Sequence, residues 1–196
     1  ITGDQEYAVA SRLTLLPLEL SDLGKRKLNF VSFTPGTTFD LKYSTGMWKE
    51  RWLLYYVLRM LKGLNKKGLS HLLRCDVSPR NWTSYLRSKP QYDRKLIETF
   101  LTGIKNDEEI FEELRDLCRK FKGDPRSISR DLRLRRNTLI GTLRRHLAKA
   151  CVEALEPDLV ILDEFQRFKS LLKADNEAGA LAQELIGYQG VRTILL

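Results

Sequence analysis

Leu159-Val160-Ile161-Leu162-Asp163-Glu164-Phe165-Gln166 is the stretch on which the fold turns. Four apolar residues in a row follow the helix breaker Glu156-Pro157-Asp158, so they predict a strand buried on both faces. Such a strand belongs to a parallel sheet covered by helices. Downstream, residues 166–172 and 178–186 read as helices and 191–196 as a second apolar run. Upstream, residues 28–33 form a short aromatic and β-branched run that stops at Thr34-Pro35-Gly36, a turn signal. Three parallel strands joined by helical crossovers predict an α/β layer fold.

Between these strands the periodicity is helical. Trp48, Trp52, Leu53, Tyr55, Tyr56, Val57, Met60, Leu61 and Leu64 recur at spacings of three and four, giving a helix over 47–64 with a wide buried face. Shorter helices follow over 68–123, one opened by Ser78-Pro79, the next set off by Pro90, and a third capped at Asn106-Asp107-Glu108-Glu109. A long amphipathic helix then spans about 137–155, behind an Arg-rich segment at 126–136. The division expected is a parallel-sheet domain made of 1–46 and 157–196, carrying an all-helical insertion at 47–156 that leaves the chain helix-rich overall.

The 196 residues are 42% hydrophobic, ordinary for a globular chain with a sizeable core. No apolar run reaches membrane-spanning length and the first residues lack a signal-peptide pattern, so no membrane partner is expected and the location expected is cytoplasmic. Cys75, Cys118 and Cys151 are odd in number and far apart, which fits reduced thiols better than a disulfide framework or a zinc site. The net charge of +9 favours a polyanion, because each phosphate met by Lys or Arg releases a condensed counterion. A solvated basic surface explains the same charge.

At the carboxyl end of a parallel strand, Asp163 and Glu164 would face the crevice where such sheets bind ligands. Two carboxylates there suit metal chemistry: one holds Mg²⁺ and the other orients a water for attack. A strand-end turn or helix cap would use the same pair without chemistry.

The run from Pro157 to Phe168 resembles motif II of a group of bacterial superfamily-two, DEAD/DEAH-like helicase-related ATPases in which the box is written D-E-F-Q. Phe33-Thr34-Pro35-Gly36-Thr37-Thr38-Phe39 likewise resembles the T-P-G element, motif Ib, which touches the nucleic-acid backbone in helicases. The resemblance implies a partial RecA-like (P-loop NTPase) sheet and the cofactors ATP and Mg²⁺. Asp163 would coordinate the metal, Glu164 would be the catalytic base, and Gln166 would couple the nucleotide to the rest of the motor. Thr34, Gly36 and Thr37 would hold phosphates of the bound strand, the alternative for Thr34 to Thr38 being a tight Pro-Gly turn with no ligand.

No G-x-x-x-x-G-K-[ST] occurs; Gly63 to Gly68 has the first spacing but continues Leu69-Ser70. Neither a motif III nor a second motor domain is recognisable. The expectation is therefore an internal fragment of a first motor domain, an ATP hydrolase or helicase only as part of a longer chain and inactive alone. Its partners would be nucleic acid, DNA ahead of RNA, and the remainder of the motor: the Walker A segment and a second RecA-like domain. Arg133, Arg135 and Arg136 are further candidates for backbone contact, against the alternative of a solvated face paired with nearby acids. His71 and His146 lack ligand spacing, and Trp48, Trp52, Trp82, Tyr55 and Tyr56 read as core. The rival reading of the whole is a non-enzymatic basic helical module that binds nucleic acid or a partner protein.

Overall fold

A computed structural model describes residues 6–10, 12–19, 29–33, 45–123, 128–162, 165–173 and 176–195. The order is β1 (Glu6–Ala10), a 3-10 turn (Leu13–Leu15), α1 (Leu16–Glu19), β2 (Asn29–Phe33), α2 (Trp48–Leu58), α3 (Lys66–Arg74), α4 (Pro79–Tyr85), α5 (Arg94–Asn106), α6 (Glu108–Lys120) and α7 (Arg130–Leu155). It closes with β3 (Leu159–Leu162), α8 (Phe165–Leu172), α9 (Glu177–Ile186) and β4 (Arg192–Leu195). The chain is a helix-rich α/β protein with two pairs of parallel strands.

The spine is α7, whose 26 residues run about 39 Å at the usual rise of an α-helix. Its first turns are polar. From Leu139 onward it is buried on several sides, through Ile140, Leu143, Leu147, Ala148 and Cys151. Helices α5, α6, α9 and α2 and the 3-10 turn pack around it, and α3 lies against α2 and α6. One continuous core results, from Leu13 and Leu16 through Leu53, Leu72, Phe100 and Leu117 to Leu162, Phe168 and Leu185.

Local chemistry sets the helix starts. The side chains of Asn65, Ser78, Asp93, Asp107, Ser129 and Asn176 each accept the backbone N–H three residues on, filling a donor that the first helical turn leaves open. Two expected boundaries move as a result. The apolar stripe predicts one helix over 47–64, yet α2 stops at Leu58 and a turn through Gly63, at φ +87, leads to the Asn65 cap of a new helix. The long helix starts at Arg130, not near 137, because Ser129 caps it and the Arg-rich segment is well able to be helical.

Two other expectations change. The strand at Asn29–Phe33 pairs with β1, a strand unforeseen in the sequence, and β3 pairs with β4; among the described residues the two pairs share no hydrogen bonds. Tyr7-Ala8-Val9-Ala10 is mostly small and short, which leaves little signal to read. Nor is β3 covered on both faces. Leu162 is 3% exposed against the core, while Leu159 and Ile161 are 49% and 55% exposed, because described helices cover only one side of this sheet. No described helix is long and apolar enough to cross a membrane.

A buried polar centre interrupts the core. Glu50, on the first turn of α2, is 0% exposed and Arg144, midway along α7, is 1% exposed. The Arg144 Nε and a terminal nitrogen both donate to Glu50 Oε1 at 2.9 Å. The same oxygen accepts the Thr14 hydroxyl, and Oε2 accepts the Met47 N–H. Gly46 sits directly over the pair: a Cβ there would lie 2.3 Å from Arg144 Nε, and its φ of +59 suits glycine. Next to it, the buried Arg51 donates to the Gly46 carbonyl at 2.7 Å, to the Leu73 carbonyl at 3.0 Å and to Asp76 at 2.9 Å.

Removing one partner of a buried pair strands the other charge away from water. Arg144→Met should therefore cost about 3–5 kcal/mol in urea unfolding, whereas Arg144→Met combined with Glu50→Leu should recover most of the loss. A double variant no more stable than Arg144→Met would show that the stranded carboxylate is not what destabilises the single one.

Candidate functional site

The segment from Leu159 to Leu195 is a parallel strand–helix–helix–strand unit. Leu159 lies opposite Arg192 and Leu162 opposite Leu195. The Arg192 N–H donates to the Asp158 carbonyl at 3.0 Å, which holds the two strand starts together. Helices α8 and α9 pack on each other, and Gln183 Nε2 donates to the Leu172 carbonyl at 2.7 Å. Phe168, Leu181, Ala182 and Leu185 seat the unit on the helical body.

Asp163 and Glu164 fall in sequence between the last residue of β3 and the first of α8, outside the described residues. Thr34, Gly36 and Thr37 follow β2 directly and also lie outside them. Gln166 is exposed on the first turn of α8. Among the described residues no three of His, Cys, Asp and Glu gather as a metal site. Hard carboxylate oxygens at positions 163 and 164 are nevertheless the donor type Mg²⁺ prefers.

The three candidate arginines on α7, Arg133, Arg135 and Arg136, take different positions. Arg135 is held between two carboxylates of α6, with its Nε 3.0 Å and one terminal nitrogen 2.6 Å from Glu113, and that nitrogen 2.9 Å from Asp116. Arg136 donates twice to Asn137 Oδ1, at 3.1 and 2.9 Å. Arg133 is exposed. The acids of α6, Glu108, Glu109, Glu112, Glu113 and Asp116, form an open acidic face beside the basic start of α7.

The cysteines and histidines are tied into the fold. Burial pushes the Cys118 thiol up to about 12 and raises Cys151 and Cys75 as well, so none is a thiolate nucleophile at neutral pH. His71 Nδ1 donates to the Phe121 carbonyl at 2.9 Å, joining α3 to the end of α6. Burial lowers the His146 pKa, which keeps that ring neutral.

The aromatic residues divide. Trp82 is 3% exposed, with its Nε1 donating to Ser70 at 2.9 Å, and belongs to the core as expected. Trp48 does not: it is 37% exposed and stacked on Tyr85, with ring centroids 3.9 Å apart and planes 18° apart. The expectation that Trp48 is core is corrected here, and the sequence carries a signal for the difference. Trp48, Trp52, Tyr56 and Arg59 recur at four, four and three, and charged Lys49 and Arg59 sit at the stripe's two ends.

Arg133 and Arg135 share one helix, but Arg133 is exposed whereas Arg135 bridges to α6, which makes a comparison possible. Arg135→Ala should lower the melting temperature by about 2–4 °C, the effect of roughly 1 kcal/mol on a chain of this size. Arg133→Ala, at an exposed position, should leave it unchanged. Asp116 is held below the usual carboxylate range, first by its hydrogen bond with Lys120 and then by Arg135. Its share of the Arg135 effect is therefore complete at neutral pH and fades as acid takes the pH down through that lowered pKa. Equal melting shifts for the two variants would remove the α6–α7 bridge. Comparison of the chain with known protein families, curated proteins and solved structures gave no match.

Proposed function

We propose that these residues belong to a nucleic-acid-dependent ATPase of the superfamily-two helicase type, within a RecA-like motor domain. One observation carries the reading: β3 and β4 are parallel, joined through α8 and α9, and the sequence puts Asp163-Glu164 immediately after β3. In parallel sheets the carboxyl ends of strands are where nucleotides bind. The D-E-F-Q resemblance supports the same assignment.

On this reading Asp163 holds the metal of a Mg²⁺–ATP complex, which supplies charge neutralisation at the phosphates when bound. Glu164 orients the attacking water and takes its proton, and Gln166 relays the state of the nucleotide. Thr34, Gly36 and Thr37 give hydroxyl and N–H donors to the backbone of the strand. A motor of this kind also needs a Lys-bearing phosphate loop, which the 196 residues do not contain. Hydrolysis is thus assigned to a larger protein that includes them, with the nucleotide positioned jointly.

The decisive comparison is made in that larger protein. Glu164→Gln should reduce kcat by at least ~10²-fold with nucleotide affinity nearly unchanged, because the charge is required in the transition state and not for binding. Asp163→Ala should weaken Mg²⁺–nucleotide binding as well. If the pair merely caps α8, both changes would cost about 0.5–2 kcal/mol of stability and leave turnover intact. A stable Glu164→Gln protein with near-normal kcat would rule out the motif II assignment.

A further inference from the structure

We propose that the aromatic stripe of α2, capped by the Trp48–Tyr85 stack, is a binding surface for single-stranded nucleic acid. The inference rests on the nucleic-acid half of the reading above and is independent of its ATPase half. It concerns residues other than Thr34, Gly36, Thr37 and the candidate arginines of α7.

The surface is built from helical spacing. Trp48, Trp52 and Tyr56 follow one another at intervals of four on α2, with Trp48–Trp52 centroids 6.5 Å and Trp52–Tyr56 centroids 5.9 Å apart. The polar atoms of the inner rings are spent on holding the neighbouring turn: Trp52 Nε1 donates to the Tyr85 carbonyl at 2.9 Å and the Tyr56 hydroxyl to the Leu86 carbonyl at 2.6 Å. These bonds bring the end of α4 against α2 and fix Tyr85 beside Trp48. Trp48 stays 37% exposed, Trp52 and Tyr85 are half-buried and Tyr56 is buried, with Met47 and Met60 exposed at the two ends. Such rings are already ordered, so stacking a base on them costs little side-chain entropy.

Charge selects the occupant. Residues 47–92 contain ten Lys and Arg against two acids, Glu50 and Asp76. Glu50 is buried on Arg144, and Asp76 is paired with the buried Arg51, which leaves the other bases in excess. Arg59 lies 5.6 and 5.4 Å from the Tyr55 and Tyr56 ring centroids, at one end of the stripe. Lys49 adjoins Trp48, and Arg87 and Lys89 leave the chain just after the Tyr85 turn, all three exposed. Flat rings flanked by cations match a chain of unstacked bases with phosphates between them. A duplex hides its base faces and would meet only the cations. An acidic amphipathic peptide is the competing occupant.

The test uses residues 1–196 and a fluorescein-labelled 15-nucleotide oligo-dT, followed by anisotropy at several salt concentrations, with a duplex of the same length and an acidic amphipathic peptide as competitors. Binding of oligo-dT should exceed that of the duplex. Trp48→Ala should weaken it about tenfold, with Trp48→Phe restoring most of the affinity, since any aromatic face can stack. The exposed pair Arg87→Ala and Lys89→Ala, which leaves the rings in place, should flatten the salt dependence by about 0.7 in slope for each lost phosphate contact. Oligo-dT binding that is indifferent to Trp48→Ala and to the Arg87/Lys89 pair would overturn this surface while leaving nucleic-acid binding elsewhere on the chain. Stronger binding of duplex, or displacement of oligo-dT by the acidic peptide at lower concentration, would overturn it in favour of another partner. No binding of either nucleic acid would overturn both this inference and the nucleic-acid half of the proposed function.

Discussion

A carboxylate and a guanidinium can leave water together only if each finds the other at hydrogen-bonding distance and the remaining lone pairs are occupied. Glu50 and Arg144 meet that condition with the help of Thr14 and the Met47 N–H. Much else depends on it. The pair fixes the start of α2 against the middle of α7, calls for glycine at position 46, and draws the 3-10 turn at Leu13–Leu15 onto the same spot. Arg51, one residue along, fastens the end of α3 from the same turn. Specific polar geometry in an otherwise apolar core favours one arrangement of these helices over the sliding packings that leucines alone would tolerate.

A second constraint is steric. A Cβ on Gly68 would stand 1.7 Å from the Cys118 carbonyl oxygen, so α3 and α6 approach as closely as two backbones can. That contact brings the acidic helix α6 near the basic start of α7, where Glu113 and Asp116 take up Arg135. Positive charge is thus partly consumed within the fold on one side, while the face carrying Trp48 keeps its cations for solvent.

How much of this could be read from the chain varies with the range of the interaction. Helix starts at Ser78, Asp107 and Asn176 and the strand at Leu159–Leu162 are local matters, and their side chains announce them. The pairing of β2 with β1 is not local, and neither is the exposure of Ile161, which depends on how many faces of the sheet helices cover. Glu50 and Arg144 were invisible for the same reason: each looks like an ordinary surface residue on its helix, and only their meeting makes them core. Asp163 and Glu164 stand out in the sequence through their position after an apolar strand, whereas the stripe makes Trp48 look like core because periodicity reports the facing of a stripe and not the depth at which it ends. Arg135 could have been anticipated as an ion-pair partner only with the α6–α7 contact known.

The distance in sequence between Glu50 and Arg144, 94 residues, has a bearing on how the protein is made. A ribosome adds roughly 5–20 residues per second, so the carboxylate waits on the order of 5 to 20 s before its guanidinium exists. During that interval Glu50 must stay hydrated, and α2 cannot close over it. The packing of α2 on the middle of α7 can therefore be completed only once that part of α7 has been made.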